Sequence, residues 1–311
     1  MSSLKTPNVQ KELLKEGIFL TGAPRSGTSI LGKIIATLKN IEYHFEPPTL
    51  YMICSSYADG LIDKATARVL LQNYLCEDLL LESIQGRGVN LRPSDDSQIL
   101  NSIDWPDLNQ RWINIPNRAK AIEYGLDKGI RLALKSPNTF DAIPLIRDVI
   151  KNTNIIIIKR NGFDVLNSIV VKQWLSDNSL KTELWPYKDT DNIINIPYWV
   201  PDRFTEDWEN MSCTTRSALM WAVHADIGLS YVYSNDTIVI SYEELTENPS
   251  AAVNKLTKLT ETEPTHHTTR VINTIRCRNK VKDTSDVERM LAEENESVYE
   301  FFMSTNKSWG Y

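Results

Sequence analysis

The stretch TGAPRSGTS, Thr21 to Ser29, concentrates residue types that bind anions. Gly22 and Gly27 stand five residues apart and Ser29 closes the stretch, as in the nucleoside-triphosphate loop GxxxxGK followed by Ser or Thr. The lysine of that pattern is missing, and Thr28 takes its place. The loop's cation is Arg25 instead. What remains is a backbone cradle. The N–H groups of Ser26, Gly27, Thr28 and Ser29 converge on one anion, and the dipole of a following helix adds to them. Ala23 and Pro24 complete the loop ahead of them. Such a loop holds a phosphate-type group but has no long side chain to reach a γ-phosphate.

Around this loop, strand and helix patterns alternate. GIFLTG (17–22) reads as a buried strand. SILGKIIATLKN (29–40) reads as a helix with Ile30, Leu31, Ile34, Ile35 and Leu38 on one face. IEYHFE (41–46) is a second strand, stopped by Pro47-Pro48. A helix is predicted over 65–84, a strand over 130–137 and a short helix over 143–152. NIIIIKR (154–160) is apolar with no polar gap, which suits an inner strand of a parallel sheet covered on both faces. Helices follow over 165–175 and 214–233, then a strand over 236–245 that leaves into a loop. Pro249 fits the first turn of a helix over 248–260, where its missing N–H costs little. An acidic last helix covers 285–303. The alternation predicts an α/β fold, a P-loop-like open parallel sheet with helices on both faces. Ligands of such sheets gather at the C-terminal strand ends. Residues 21–29, 46, 135–137, 160 and 242 fall there. No internal repeat interrupts the chain, so 1–311 reads as one domain. Residues 176–212, rich in Trp, Pro, Asp and Asn, break the pattern as an insertion over the sheet, a lid or a wall of a second substrate's site.

A net charge of -6 argues against a non-specific nucleic-acid binder, but leaves room for a locally positive pocket. The opening MSSLKTPNVQKELLKEG lacks a signal-peptide core, and no apolar run approaches membrane-spanning length. Cys54, Cys76, Cys213 and Cys277 are scattered without a CxxC pair, so neither a zinc site nor a disulfide framework is expected. They suit a reducing cytoplasm, as small apolar fillers. His266 and His267 are adjacent, and on a helix they would diverge by about 100°. No metal site is expected.

With its preceding strand and following helix, TGAPRSGTS resembles the 5′-phosphosulfate loop of sulfotransferases that use 3′-phosphoadenylyl sulfate (PAPS). The resemblance implies the fold above, a PAPS donor, the leaving group adenosine 3′,5′-bisphosphate (PAP), and no metal. A second motif agrees. The family's 3′-phosphate site is a strand-end Arg and a Ser eight residues later, and IIIIKRNGFDVLNS supplies Arg160 and Ser168. A strand-end arginine can clamp phosphate bidentately. Gly162 departs from the proline common at that position. ISYEELTENP resembles the strand and proline-initiated helix that place Tyr242 near the adenine, or Tyr242 only caps a buried strand. RCRNKVKD (276–283), with Arg276, Arg278 and Lys280, is a candidate for the basic loop that closes over the donor, or a solvated charge run.

Sulfuryl transfer is an in-line displacement that needs cations at the sulfuryl and bridging oxygens and a base for the acceptor proton. Arg25 occupies the place of the family's loop cation, and Lys135 that of a second cation at a strand end. The cytosolic branch has a catalytic histidine two residues after that lysine, where this chain has Pro137. The carbohydrate and tyrosylprotein branches use a glutamate after the second strand, a place Glu46 takes. Two nearby cations would keep Glu46 ionised. His44 is the rival base or an acceptor-orienting group, since strand alternation puts it on the face of Glu46. The implied acceptor is a small molecule offering a hydroxyl or N–H, such as a secondary metabolite or a sugar. Asp177, Asp189, Asp191, Asp202, Glu206 and Asp207, with Trp185, Trp199 and Trp208, would make the insertion a wall for a polar or cationic acceptor, or a solvated loop with packed tryptophans. Two rivals stand beside this reading: a P-loop kinase-like ATP-dependent transferase, and a non-catalytic nucleotide-binding protein. Thr28 and the lack of an Mg²⁺-binding Asp over 155–159 weigh against the first. Retention of Arg25, Lys135 and Glu46 weighs against the second.

Overall fold

Five strands lie side by side, all parallel, in the computed structural model, which describes residues 7–181, 186–188, 193–276 and 283–311. They are β1 (Ile18–Gly22), β2 (Ile41–Phe45), β3 (Arg131–Lys135), β4 (Asn154–Lys159) and β5 (Thr237–Ser241), in the order β2-β3-β1-β4-β5. The chain leaves β1 toward one edge and leaves β3 across β1 toward the other. That reversal opens a crevice at the C-terminal ends of β1 and β3.

The isoleucines of β4 show why the sheet needs cover on both sides. Ile155 and Ile157 join a core with Phe19, Leu132 and Leu134. Ile156 and Ile158 join the opposite core with Ile18, Leu20 and Ala133. Each isoleucine withdrawn from water contributes about 2 kcal/mol, an upper figure because the unfolded chain already shields part of it. The helix Thr28–Ala36 covers the second face with Leu31, Ile34 and Ile35, beside Leu256 of the helix Pro249–Thr260. The long helix Cys213–Leu229 covers the other face, with Leu219 and Trp221 in that core. This is the α/β sheet with helices on both faces that the alternation predicts.

Local differences from the sequence reading have local causes. The segment 65–84 is not one α-helix. An α-helical Lys64–Asn73 passes into a π-helix, Tyr74–Leu81, and then Glu82–Ile84. The wider turn coincides with burial of Leu79, Leu80 and Leu81 together, a set that a 3.6-residue stripe would split. The segment expected over 285–303 divides into Ser285–Glu294 and Glu296–Ser308 at Asn295, whose side chain accepts from Val298 N at 3.0 Å as an N-cap. The strand β5 does not leave into a loop. Ser241 Oγ accepts from Glu244 N at 3.0 Å and starts the helix Tyr242–Glu247. Within 176–212, the described residues form a short helix, Asp177–Leu180, and two tight turns, Asp202–Phe204 and Trp208–Asn210. Trp199, Phe204 and Trp208 are buried, and Trp208 Nε1 donates to the Asn195 carbonyl at 3.1 Å. Among the described residues no helix is long and apolar enough to cross a membrane.

Candidate functional site

The loop after β1 folds back on itself before the helix begins. Gly27 sits at φ 100°, a left-handed conformation, as the residue before Thr28–Ala36. A Cβ there would lie 2.7 Å from Cδ2 of Tyr242. Gly27→Ala therefore meets both backbone strain and a clash. It is expected to lose about 1–3 kcal/mol of stability. Denaturant unfolding checks this, and an unchanged midpoint would mean that the loop and Tyr242 part freely.

The two phosphate motifs, far apart in sequence, touch. Arg25 Nε donates to Ser168 Oγ at 3.0 Å. Arg160 Nη1 donates to the Arg25 carbonyl at 3.0 Å. The Arg160 guanidinium stacks 4.2 Å from the centre of the Tyr242 ring, and its Nε lies 3.8 Å from Asp164. Arg160 and Tyr242 are buried, yet Arg160 Nε, the Tyr242 hydroxyl and Ser26 Oγ have no hydrogen-bond partner. Unpaired buried polar atoms call for an explanation. A donor bearing phosphate groups fits this set in charge and hydrogen-bonding capacity. Ser168 lies in the second turn of the helix Gly162–Val170. Gly162, where the family often has proline, donates its N–H to Asn306 Oδ1 at 2.8 Å, and a Cβ there would stand 2.9 Å from Phe302 Cζ. A proline would lose that bond and crowd the ring.

A cavity of about 760 Å³ opens beside this loop at the ends of β1 and β3. Pro24, Arg25, Thr28 and Ser29 form its inner end, together with Glu46. Its body is largely apolar, with Tyr51, Met52, Trp174, Tyr187, Pro197, Trp199 and Met220. Lys135 is fully buried one layer behind this wall. Its ammonium bonds the Glu46 carboxylate, lies 3.4 Å from Ser29 Oγ and packs 3.6 Å from the centre of the Phe45 ring. Burial holds the Lys135 pKa below its ordinary value, with Glu46 pulling it partly back. Arg25, Glu46 and Asn138, all lining the cavity, have φ of 64°, 45° and 59°. Three non-glycine residues in the left-handed region thus lie around one cavity.

His44 is not with Glu46. It lines a separate cavity of about 470 Å³, whose wall includes Glu42 paired to Arg111. Burial lowers its pKa to about 4, and its Nε2 has no partner. The shared face expected from alternation fails because Glu46, at φ 45°, lies past the last extended residue and turns its carboxylate to Lys135. Arg276 is exposed and donates to the carbonyls of Asn273 and Ile275 at 2.8 and 2.9 Å, away from the cavity. Arg278 and Lys280 lie outside the described residues, as do Trp185, Asp189 and Asp191. The described acids of 176–212 do not line the cavity. Asp177 pairs with Arg216 and Asp202 with Lys188, each at 2.5 Å, and Asp207 accepts from Asn295 at 3.1 Å. Of the cavity body the sequence reading named Trp199 and the insertion, but not Tyr51, Met52, Trp174 or Met220. Trp174, 5.6 Å below the Arg25 guanidinium, comes from the turn after Gly162–Val170, where a helix over 165–175 was expected. The rings of His266 and His267 do not diverge: their centres lie 4.0 Å apart.

Among solved structures, the chain resembles the sulfotransferase domain from the curacin biosynthetic pathway at 14% identity and a TM-score of 0.46, over 91% of this chain and 98% of that one. A sulfotransferase from Alicyclobacillus acidocaldarius matches at 14% identity and 0.43, over 92% and 95%. A mouse sulfotransferase complexed with PAP matches at 13% and 0.41, over 90% and 70%. A search of curated proteins finds no match. A model of the Sulfotransferase family matches residues 17–266, and the chain therefore belongs to the sulfotransferase family.

Proposed function

We propose that this sulfotransferase takes its sulfuryl group from PAPS and transfers it to a hydroxyl or N–H of a small molecule with an apolar body, in one domain that spans the chain. The observation that carries the reading is the convergence of Arg25, Ser168, Arg160 and Tyr242, with unpaired buried donors left among them. The loop 23–29 holds the 5′-phosphosulfate end, with the backbone N–H groups of Gly27, Thr28 and Ser29 at the helix N-terminus as its donors. Arg160 and Ser168 hold the 3′-phosphate, and the Tyr242 ring lies by the adenine. When bound, the donor supplies the activated sulfuryl group and departs as PAP. Arg25 and the field of Lys135 stabilise charge that develops during transfer. Glu46, fixed by Lys135, accepts the acceptor's proton. Leu180, Pro186, Tyr187, Asn195, Pro197 and Trp199 of the 176–212 insertion form one wall of the acceptor cavity.

Thermal unfolding with PAP, ADP and Mg-ATP at equal concentrations tests the donor. A ligand present at 100 times its Kd stabilises the folded state by about 2.7 kcal/mol. PAP is expected to raise the transition most. Arg160→Ala is expected to weaken PAP by on the order of 10–100-fold, the loss of charge-assisted hydrogen bonds, and to bring its effect down to that of ADP. Equal stabilisation by Mg-ATP in the wild type would overturn the donor assignment.

A further inference from the structure

A second cluster of chemistry-bearing side chains lies where the segment before the helix Trp105–Asn114 meets the helix His266–Ile272. We propose that Asp104, His266 and His267 form a binding site for a divalent transition-metal ion of the zinc class. Asp104 Oδ2 lies 3.4 Å from His266 Nε2 and 3.8 Å from His267 Nε2. One ligand atom from each of the three residues falls within 4.8 Å of the others. Zinc bonds nitrogen and oxygen at about 2.0–2.1 Å, which sets tetrahedral ligands about 3.3 Å apart. The separations of 3.4 and 3.8 Å are close to that spacing. Two imidazoles and one carboxylate are a donor set that zinc accepts, with a fourth position left for water.

Two independent features show that these side chains are aimed at one another rather than spent elsewhere. Asp104 occupies the N-cap position of Trp105–Asn114, yet its side chain makes no cap hydrogen bond. An aspartate there would ordinarily accept from its own helix. His267 is 3% exposed, its Nδ1 is buried without a partner, and its Nε2 faces Asp104 at a distance outside hydrogen-bond range. The scaffold behind the histidines is fixed. Thr265 and Thr268 form a reciprocal capping box, and both hydroxyls bond the Thr37 carbonyl, at 2.8 and 3.1 Å. Above that anchor the two imidazole rings lie 4.0 Å apart, tilted by 36°.

The test uses the full chain, stripped of metal with a chelator and titrated with ZnCl₂ by calorimetry, with Co²⁺ absorption as a spectroscopic probe. One ion per chain is expected, with the tetrahedral Co²⁺ signature and a zinc-dependent rise in the unfolding temperature. His266→Gln and Asp104→Asn alter exposed side chains, so both variants are expected to fold. Each is expected to weaken zinc by on the order of 10–100-fold or more, at least what losing an outer-shell partner costs. PAP-induced stabilisation, read in the same variants, is expected to stay at the wild-type level. Absence of saturable zinc binding, or zinc affinity unchanged in both variants, would overturn the site.

Discussion

Lys135→Met is expected to fold as the wild type does and to lose on the order of 10²–10³ in turnover. The ammonium is fully buried, and burial lowers its pKa. A thioether chain of similar volume relieves that desolvation, and Glu46, 40% exposed, keeps water as a partner, so the fold loses little. What it loses is the charge that fixes Glu46 and stands behind Ser29. The pH profile separates this role from a packing role. Burial disfavours the charged form, so the ammonium gives up its proton at lower pH than a lysine at its ordinary 10.5. Wild-type turnover is therefore expected to fall on the alkaline side before that value. Lys135→Arg, whose charge does not titrate in this range, is expected to lack that fall. Turnover within a few-fold of wild type in the Met variant would remove Lys135 from the chemistry.

Glu46→Gln is expected to keep PAP binding and to lose on the order of 10²–10⁴ in turnover. Glutamine preserves shape and an acceptor oxygen for Lys135, but it cannot take a proton. The Lys135 ammonium is fully buried, so losing its counter-charge also costs stability, which denaturant unfolding reads separately from turnover. His44→Gln is the matched control. Because His44 lines the other cavity, its turnover is expected to stay near that of the wild type. The reverse ranking, with the His44 variant inactive and the Glu46 variant active, would reassign the base.

The framework around the proposed donor site was legible because its signals are local. An unbroken apolar run marks β4, and the glycines of 22 and 27 mark the turn between β1 and its helix. The spacing from Arg160 to Ser168 survives as contact with the first loop. Other features depend on backbone states or distant partners that a sequence pattern does not encode. Alternation placed His44 beside Glu46, and one left-handed residue undid it. Helical periodicity missed the break at Asn295, whose side chain also reaches Asp207. The splay expected of His266 and His267 ignored the Thr37 anchor beneath them. The acids of the insertion suggested a charged wall, but Arg216 and Lys188 take up Asp177 and Asp202.

Arg25, Glu46 and Asn138 each stand just past β1, β2 and β3 with positive φ. That backbone state costs an ordinary residue about 1–2 kcal/mol, and asparagine less. Glycine would recover this, minus the roughly 0.4–1 kcal/mol that its freedom adds to the unfolded chain. The side chains that aim into the cavity are thus held against the protein's own stability. In laboratory evolution the two selections should pull apart. A library screened only for heat resistance would drift toward glycine at positions 25 and 46 and lose turnover. Heat-resistant working enzymes would have to come from changes away from the three strand ends.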